Sequence, residues 1–349
     1  MSILIIGYYN LADGFLYGAK EFIKKGYNVD FFPFLNWSNN NFDNSQILFE
    51  KIQNTKYELV IWWYSNCNTK NIELFNNISE NYNITIKKTI IYNWDPILYH
   101  CKDIVFWKNK IQSDNNIFEK KLCNEYHCVT PDQIIDTKNF NCEHNLPGFS
   151  KELVIEKVTN NNFDGSWNSF NKNHSYMCDI SFILTNLYCD ENFSPTQFQL
   201  GNRKKIIDYF YEKRDKYIIH IYGPEQIGNL YPEIYKGYVK YEDCVNIFNK
   251  SKVNINYNIS SFLNKQNMDY YSERLPQILG SGGLLISDCN YNSIENGVHH
   301  IKITNDKFEN LENIINNIND YQHIRENGWK KAWESMSWEV WASKILKNN

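Results

Sequence analysis

The sequence predicts an α/β protein built from two doubly wound, Rossmann-like domains facing a cleft. Three observations carry that prediction: short apolar runs recur along the chain, stretches of helical spacing separate them, and the rhythm stops at a polar segment, 148–173, before it restarts. A length of 349 residues suits two domains at about 150 residues each, each large enough for its own core.

In the first half, apolar runs at 3–6, 58–63, 89–92 and 126–130 read as strands, and 15–25 and 72–79 have helical spacing. Strand alternating with helix implies a parallel sheet covered on both faces. The run VTNNNFDGSWNSFNKN reads as a linker. The second half repeats the plan, with strands at 179–184, 217–222, 252–257, 284–287 and 300–303 and helices at 203–213, 241–249, 276–280 and 308–318. The closing GWKKAWESMSWEVWASKIL carries Trp329 and Trp333 four residues apart, then Trp338 and Trp341 three apart, a stripe suited to covering a seam between elements. The expected organisation is a first domain over 1–165, a second over 174–325, and a helical segment, 326–349, returning to the first. No internal repeat is visible beyond the strand–helix rhythm.

Composition narrows the function. A net charge of -4 with no Lys/Arg stripe argues against nucleic acid as a partner. The N-terminal MSILIIGYYNLADG lacks the basic flank and the apolar length of a signal peptide, and no run approaches the roughly 20 apolar residues of a membrane span, so a cytoplasmic protein is expected. Nine cysteines, an odd number without CxxC pairs, read as reduced and mostly buried thiols. His100, His127, His144, His299 and His300 form no metal spacing and read as structural; no metal site is expected.

The stretch SERLPQILGSGGLLISD, 272–288, carries the most chemistry. Proline suits the first helical position, so a helix is expected from Pro276, with Ser272, Glu273 and Arg274 in the loop before it. Unpaired first-turn amides and the positive end of the helix dipole suit an anion at the carboxyl edge of the sheet. Arg274 adds a forked donor matched to phosphate, and Gln277 offers a donor and an acceptor to a ribose hydroxyl. Gly280, Gly282 and Gly283 then end the helix and turn the chain into a strand. This is the pattern of a diphosphate and ribose site; an ordinary capped helix with Arg274 in a surface ion pair is the competing reading.

The runs IYGPE (221–225), KGYVKYEDCVNIFNKSKVNIN (236–256) and SERLPQILGSGGLLISD, preceded by CDISFILTNLY and GNRKKIIDYF, resemble in order and spacing the nucleotide-binding domain of GT-B glycosyltransferases, especially the group related to the spore-maturation protein CgeB. The resemblance covers 178–338 well and the first half only loosely, through ILIIGYYNLADGFLYGAKEFIKKGYNV and NWDP. It implies transfer of a sugar from a nucleotide-diphosphate sugar of UDP or GDP type, with no further cofactor, to a glycan, protein or small-molecule acceptor bound by the first domain.

The resemblance further implies that Thr185, Asn186 and Arg203 approach the donor phosphates, that Gly223 belongs with the donor-binding groups, and that Tyr238 and Val239 read the base; solvated first-turn charge for Arg203 and core strand packing for Tyr238 and Val239 are the dull alternatives. Retaining relatives carry two acidic residues separated by seven others; the corresponding positions here are Asp269 and Gln277, and the second is an amide, so stereochemistry stays open. Asp13, on the loop after the first strand, and Asp95 in NWDP are candidate bases or orienting groups for the acceptor; an N-cap and a turn residue are their alternatives. No Asp-x-Asp occurs, and an arginine at a helix terminus can stabilise a departing diphosphate, so metal-independent chemistry is expected. A non-catalytic nucleotide-sugar-binding protein and a sugar-nucleotide epimerase on the same plan are the rival functions.

Overall fold

The computed structural model describes residues 1–8, 13–35, 45–64, 69–93, 117, 119–129, 142–159, 163–171, 175–184, 202–257, 272–303 and 307–347. The chain divides into two compact units, Met1–Leu146 with Trp341–Asn349, and Pro147–Val340. No described helix is long and apolar enough to cross a membrane.

The first unit contains β1 (Ser2–Tyr8), α1 (Asp13–Lys24), β2 (Asn28–Leu35), α2 (Ser45–Ile52), β3 (Lys56–Tyr57), β4 (Leu59–Tyr64), α3 (Thr69–Asn81), β5 (Thr85–Ile86), β6 (Thr89–Asn93), β7 (Glu125–Cys128) and β8 (Cys142–His144). Six of these strands form one parallel sheet in the order β2-β1-β4-β6-β7-β8, and β3 pairs with β5 separately. Strands at the centre of a parallel sheet are covered on both faces and need continuous apolar sequence. Ile3 to Ile6 on β1 and Leu59 to Trp62 on β4 meet that need, all with no exposed surface. The strand β2 tolerates Pro33 because it sits at the sheet edge, where a missing N–H breaks no ladder.

The second unit contains α4 (Lys151–Val158), α5 (Trp167–Asn171), β9 (Cys178–Ile183), α6 (Asn202–Tyr211), β10 (Ile219–Tyr222), α7 (Glu225–Leu230), α8 (Tyr241–Asn249), β11 (Ser251–Ile255), α9 (Arg274–Gly280), β12 (Leu285–Ser287), β13 (Ile301–Lys302), α10 (Phe308–Asn316) and α11 (Gln322–Ser335). Its five strands are parallel in the order β10-β9-β11-β12-β13. Helix α10 shows how the faces are covered: Phe308, Leu311, Ile314 and Ile315 form one buried stripe at helical spacing.

The division at 146 falls earlier than the polar composition of 148–173 suggests. Ser150 caps α4, its hydroxyl accepting from Leu153 N at 3.2 Å, and α4 packs on α8 inside the second unit. Helix α5 buries Trp167 and Phe170 against Trp329, with ring centroids 5.6 and 5.2 Å apart. The supposed linker is therefore domain structure held by aromatic packing.

The tryptophan stripe likewise serves two cores. Trp329 and Trp333 join Trp167 and Phe170 in the second unit, while the last helix, α12 (Trp338–Leu346), carries the chain into the first. Trp341, 1 % exposed, meets Phe15, Phe22 and Tyr92 at 5.3 to 5.5 Å. Its carbonyl accepts from Asn145 Nδ2 at 3.4 Å; the same amide lies 3.3 Å from His127 Nδ1, and His127 Nε2 lies 3.3 Å from Glu125, which Lys88 pairs at 2.7 Å. His127 is thus a buried structural histidine, as expected. Trp341→Ala should lower the unfolding free energy by about 3–5 kcal/mol, read by urea titration, because so many rings lose a partner.

At the periphery of the second unit, Glu312 on α10 accepts from Lys216 Nζ and Tyr217 Oη, both at 2.8 Å, and from Lys213 and Tyr209. Burial alone would raise its pKa, but these donors outweigh it and hold the carboxyl well below the usual range. A depressed carboxylate stabilises the fold above its unfolded pKa of about 4.3, and that contribution is lost as pH falls through the folded value. Glu312→Gln should therefore cost about 1 kcal/mol at neutral pH. The gap between variant and wild type should shrink as pH drops below about 4, in denaturant titrations across that range.

Candidate functional site

Counted from its first strand, the second sheet reads 2-1-3-4-5. The next strand after β9 lies on one side of it and the next after β11 on the other, and in such sheets ligands bind at the carboxyl edge where the strand order reverses. Three of the expected residues converge there. Arg274, at the start of α9 and half-buried, donates from Nη1 to the Ile183 carbonyl, the last residue of β9. Arg203, in the first turn of α6 and 8 % exposed, donates from Nε to the Tyr257 carbonyl at 2.7 Å, just beyond β11. Ser272 donates to Asn256 Oδ1 at 3.0 Å, one residue past β11.

The floor beneath them is polar and satisfied. Ser181 on β9 donates to Asn254 Oδ1 on β11 at 2.6 Å, and Asn254 Nδ2 donates to the Phe248 carbonyl of α8 at 3.0 Å. Buried hydrogen bonds of this kind set the register of β9 on β11, because either group left alone would pay its full desolvation cost.

Helix α9 begins at Arg274, two residues before the expected start at Pro276. Proline is tolerated as the third helical residue because the N–H it lacks belongs to the first turn, which has no intrahelical partner. Arg274 therefore opens the helix instead of preceding it. The other end follows the glycine reading: Gly283 N donates to Ile278 O and Gly282 N to Leu279 O, both at 2.9 Å, with Gly282 at φ +72°. That pair of bonds is a Schellman cap, which requires a residue comfortable in the left-handed region. Gln277 is 4 % exposed, and Glu273 is half-buried beside the helix start.

The β10 side of the edge holds Gly223, Tyr238 and Val239. Gly223 N donates to Gly237 O at 3.1 Å, and Tyr235 Oη donates to Gly223 O at 2.8 Å, so the segment before α8 runs beside the end of β10. Tyr238 is 76 % exposed and Val239 half-buried; neither lies in a strand, which removes the core-strand reading for the tyrosine. Asp13 is the first residue of α1, just beyond β1. Asp95, Thr185, Asn186 and Asp269 lie outside the described residues.

Electrostatics excludes one nucleophile. Burial first, then the neighbouring Glu273 and Asp243 charges, push the Cys244 thiol up to about 12, with Arg274 acting weakly the other way. Cys244 is a buried packing thiol, and Cys128, Cys178 and Cys289 are buried as well. Burial and the nearby Asp288 raise the Tyr257 phenol far above its ordinary value; its hydroxyl donates to the Ile303 carbonyl at 2.7 Å. Among the described residues no cluster of His, Cys, Asp or Glu could hold a metal ion.

Two groups at this edge were not singled out from sequence. Asn256, 2 % exposed, anchors Ser272, and Asp288, 5 % exposed, directly follows β12. The available signal was polar residues closing apolar strands, in KVNIN and LLISD.

This architecture is the GT-B fold of glycosyltransferases. Residues 203–347 match the family model Glyco_trans_1_2, described as glycosyl transferase-like, as the motif order suggests. Among solved structures the chain is similar to Anabaena Alr3699/HepE in complex with UDP and glucose, with a TM-score of 0.61 at 10% identity over 100% of this chain and 99% of that one. It is similar to the sucrose-phosphate synthase of Thermosynechococcus elongatus at TM-score 0.61 and 10% identity, over 100% and 98% of the two chains. S. aureus TarM follows at 0.52 and 14% identity, over 86% of this chain and 57% of that one. At these identities the likeness establishes the fold. No curated protein matches the sequence.

Gly223 yields a test of the edge itself. A Cβ there would stand 2.4 Å from the Leu184 carbonyl oxygen, backbone that no rotamer change can move. Gly223→Ala should destabilise the protein by about 1–3 kcal/mol, seen as a lower denaturation midpoint.

Proposed function

We propose that this chain is a glycosyltransferase that takes a sugar from a nucleoside diphosphate, of uridine or guanosine type, and passes it to a hydroxyl of a glycan, protein or small molecule. The observation that supports this most is the meeting of Arg274, Arg203 and Ser272 at the ends of β9 and β11, within or beside the stretch that matches the glycosyl transferase-like family. The structure of HepE, alike in fold, is described as a complex with UDP and glucose, which favours uridine.

In this reading the bond between the anomeric carbon and the terminal phosphate oxygen breaks, the acceptor oxygen bonds to that carbon, and the acceptor proton leaves to a base. Charge grows on the departing diphosphate. Arg274 and Arg203, each anchored by a backbone carbonyl, meet that charge without having to reorganise, which is where preorganised donors act most strongly. The exposed ring of Tyr238 offers a face for the base, and Gln277 serves the ribose. Because two guanidinium groups supply the positive charge, turnover is expected to persist in excess chelator.

Transfer and donor hydrolysis with a panel of UDP- and GDP-sugars, in EDTA, test the reading. Arg274→Ala should lower kcat by about 10²-fold or more, and Arg274→Lys should fall between, keeping the charge and losing the fork. Unchanged turnover in Arg274→Ala removes the phosphate role. Nucleotide binding without product from any donor and acceptor favours the non-catalytic alternative.

A further inference from the structure

The second unit holds a pocket of about 430 Å³ on the other edge of its sheet, lined by Trp167, Trp329 and Trp333 together with polar groups from α11 and the turn before α5. Its position follows from two bonds: Trp333 Nε1 donates to the Gly280 carbonyl at 2.9 Å and Arg325 Nε to the Gly282 carbonyl at 2.8 Å. Both carbonyls lie at the carboxyl end of α9, where the chain turns into β12, so the pocket sits at the amino edge of the sheet, whereas Arg274 opens α9 at the carboxyl edge.

The lining restricts the ligand. Its volume lies in the range of small-ligand sites, about 300–1,000 Å³. Glu326 and Glu334 face an incoming anion with like charge, and Lys330 pairs with Glu326 at 2.7 Å. The lining suits a molecule with an apolar face for the indoles and an edge of hydroxyls for the carboxylates, Asn168 and Lys330, and a neutral sugar presents both without desolvating a charge of its own.

We propose that this pocket binds a neutral saccharide, as a second carbohydrate site separate from the donor edge. The inference rests on the pocket's own chemistry and does not depend on the transfer reaction. The full chain is titrated with maltotriose, cellotriose and chitotriose, with and without saturating UDP, following ligand-observed NMR and tryptophan fluorescence. The expected result is saturable binding of at least one sugar that UDP does not compete away and that Trp333→Ala weakens at least tenfold. Trp333 also packs in the core, so Asn168→Ala with Glu334→Ala, both at exposed positions, provides a second variant that should weaken the same sugar at least threefold. The proposal is overturned by no saturable binding of any of the three sugars, by competition from UDP, by affinity unchanged in both variants, or by tighter binding of choline or inorganic phosphate than of every sugar tested.

Discussion

Everything at the candidate donor site depends on the reversal of strand order at the parallel pair β9 and β11. The strand that follows β9 in the chain lies on one side of the pair and the strand that follows β11 on the other, the arrangement at which open α/β sheets bind ligands at the carboxyl edge. The pair is held in place from below by the Ser181–Asn254 hydrogen bond of 2.6 Å, and Arg274 and Arg203 grip the carbonyls that emerge above it. The same geometry that makes the sheet continuous therefore places two guanidinium groups at its carboxyl edge.

Helix α9 connects this edge to the opposite one. Arg274 begins it, a Schellman cap at Gly282 and Gly283 ends it, and Trp333 and Arg325 of α11 take up its last carbonyl, Gly280, and that of Gly282 just beyond. Seven residues thus tie the charged edge to an aromatic cluster, and nearly all of the helix is buried. Such a short helix has little stability of its own, since nucleation is costly; packing at both ends is what holds it.

Legibility followed how local each cause is. Helix α8 was read with both ends correct, because Cys244, Val245, Ile247 and Phe248 bury one face at helical spacing. The central strands were equally plain, since burial on both faces demands unbroken apolar runs. The stretch 148–173 was misread because its polar residues dominate while its few rings act through partners far away, Trp167 and Phe170 against Trp329. The start of α9 was misplaced by two residues, because proline marks the first turn but not which position in it. Asn256 went unnoticed for a related reason: an asparagine in a strand acquires a meaning only when Ser272 is folded onto it.

By itself the sequence determined the α/β class and the two-sheet plan, and it offered Arg274, Arg203 and Ser272 as candidates, because periodicity, glycine placement and side-chain type are local properties. Tertiary structure alone decided the strand order, the division of the chain at 146, the split of the four tryptophans between two cores and the anchoring of each arginine to a backbone carbonyl. Those features are contacts between residues tens to hundreds of positions apart. They exist only once the sheets have brought the partners together, and no window on the chain contains both halves of any of them.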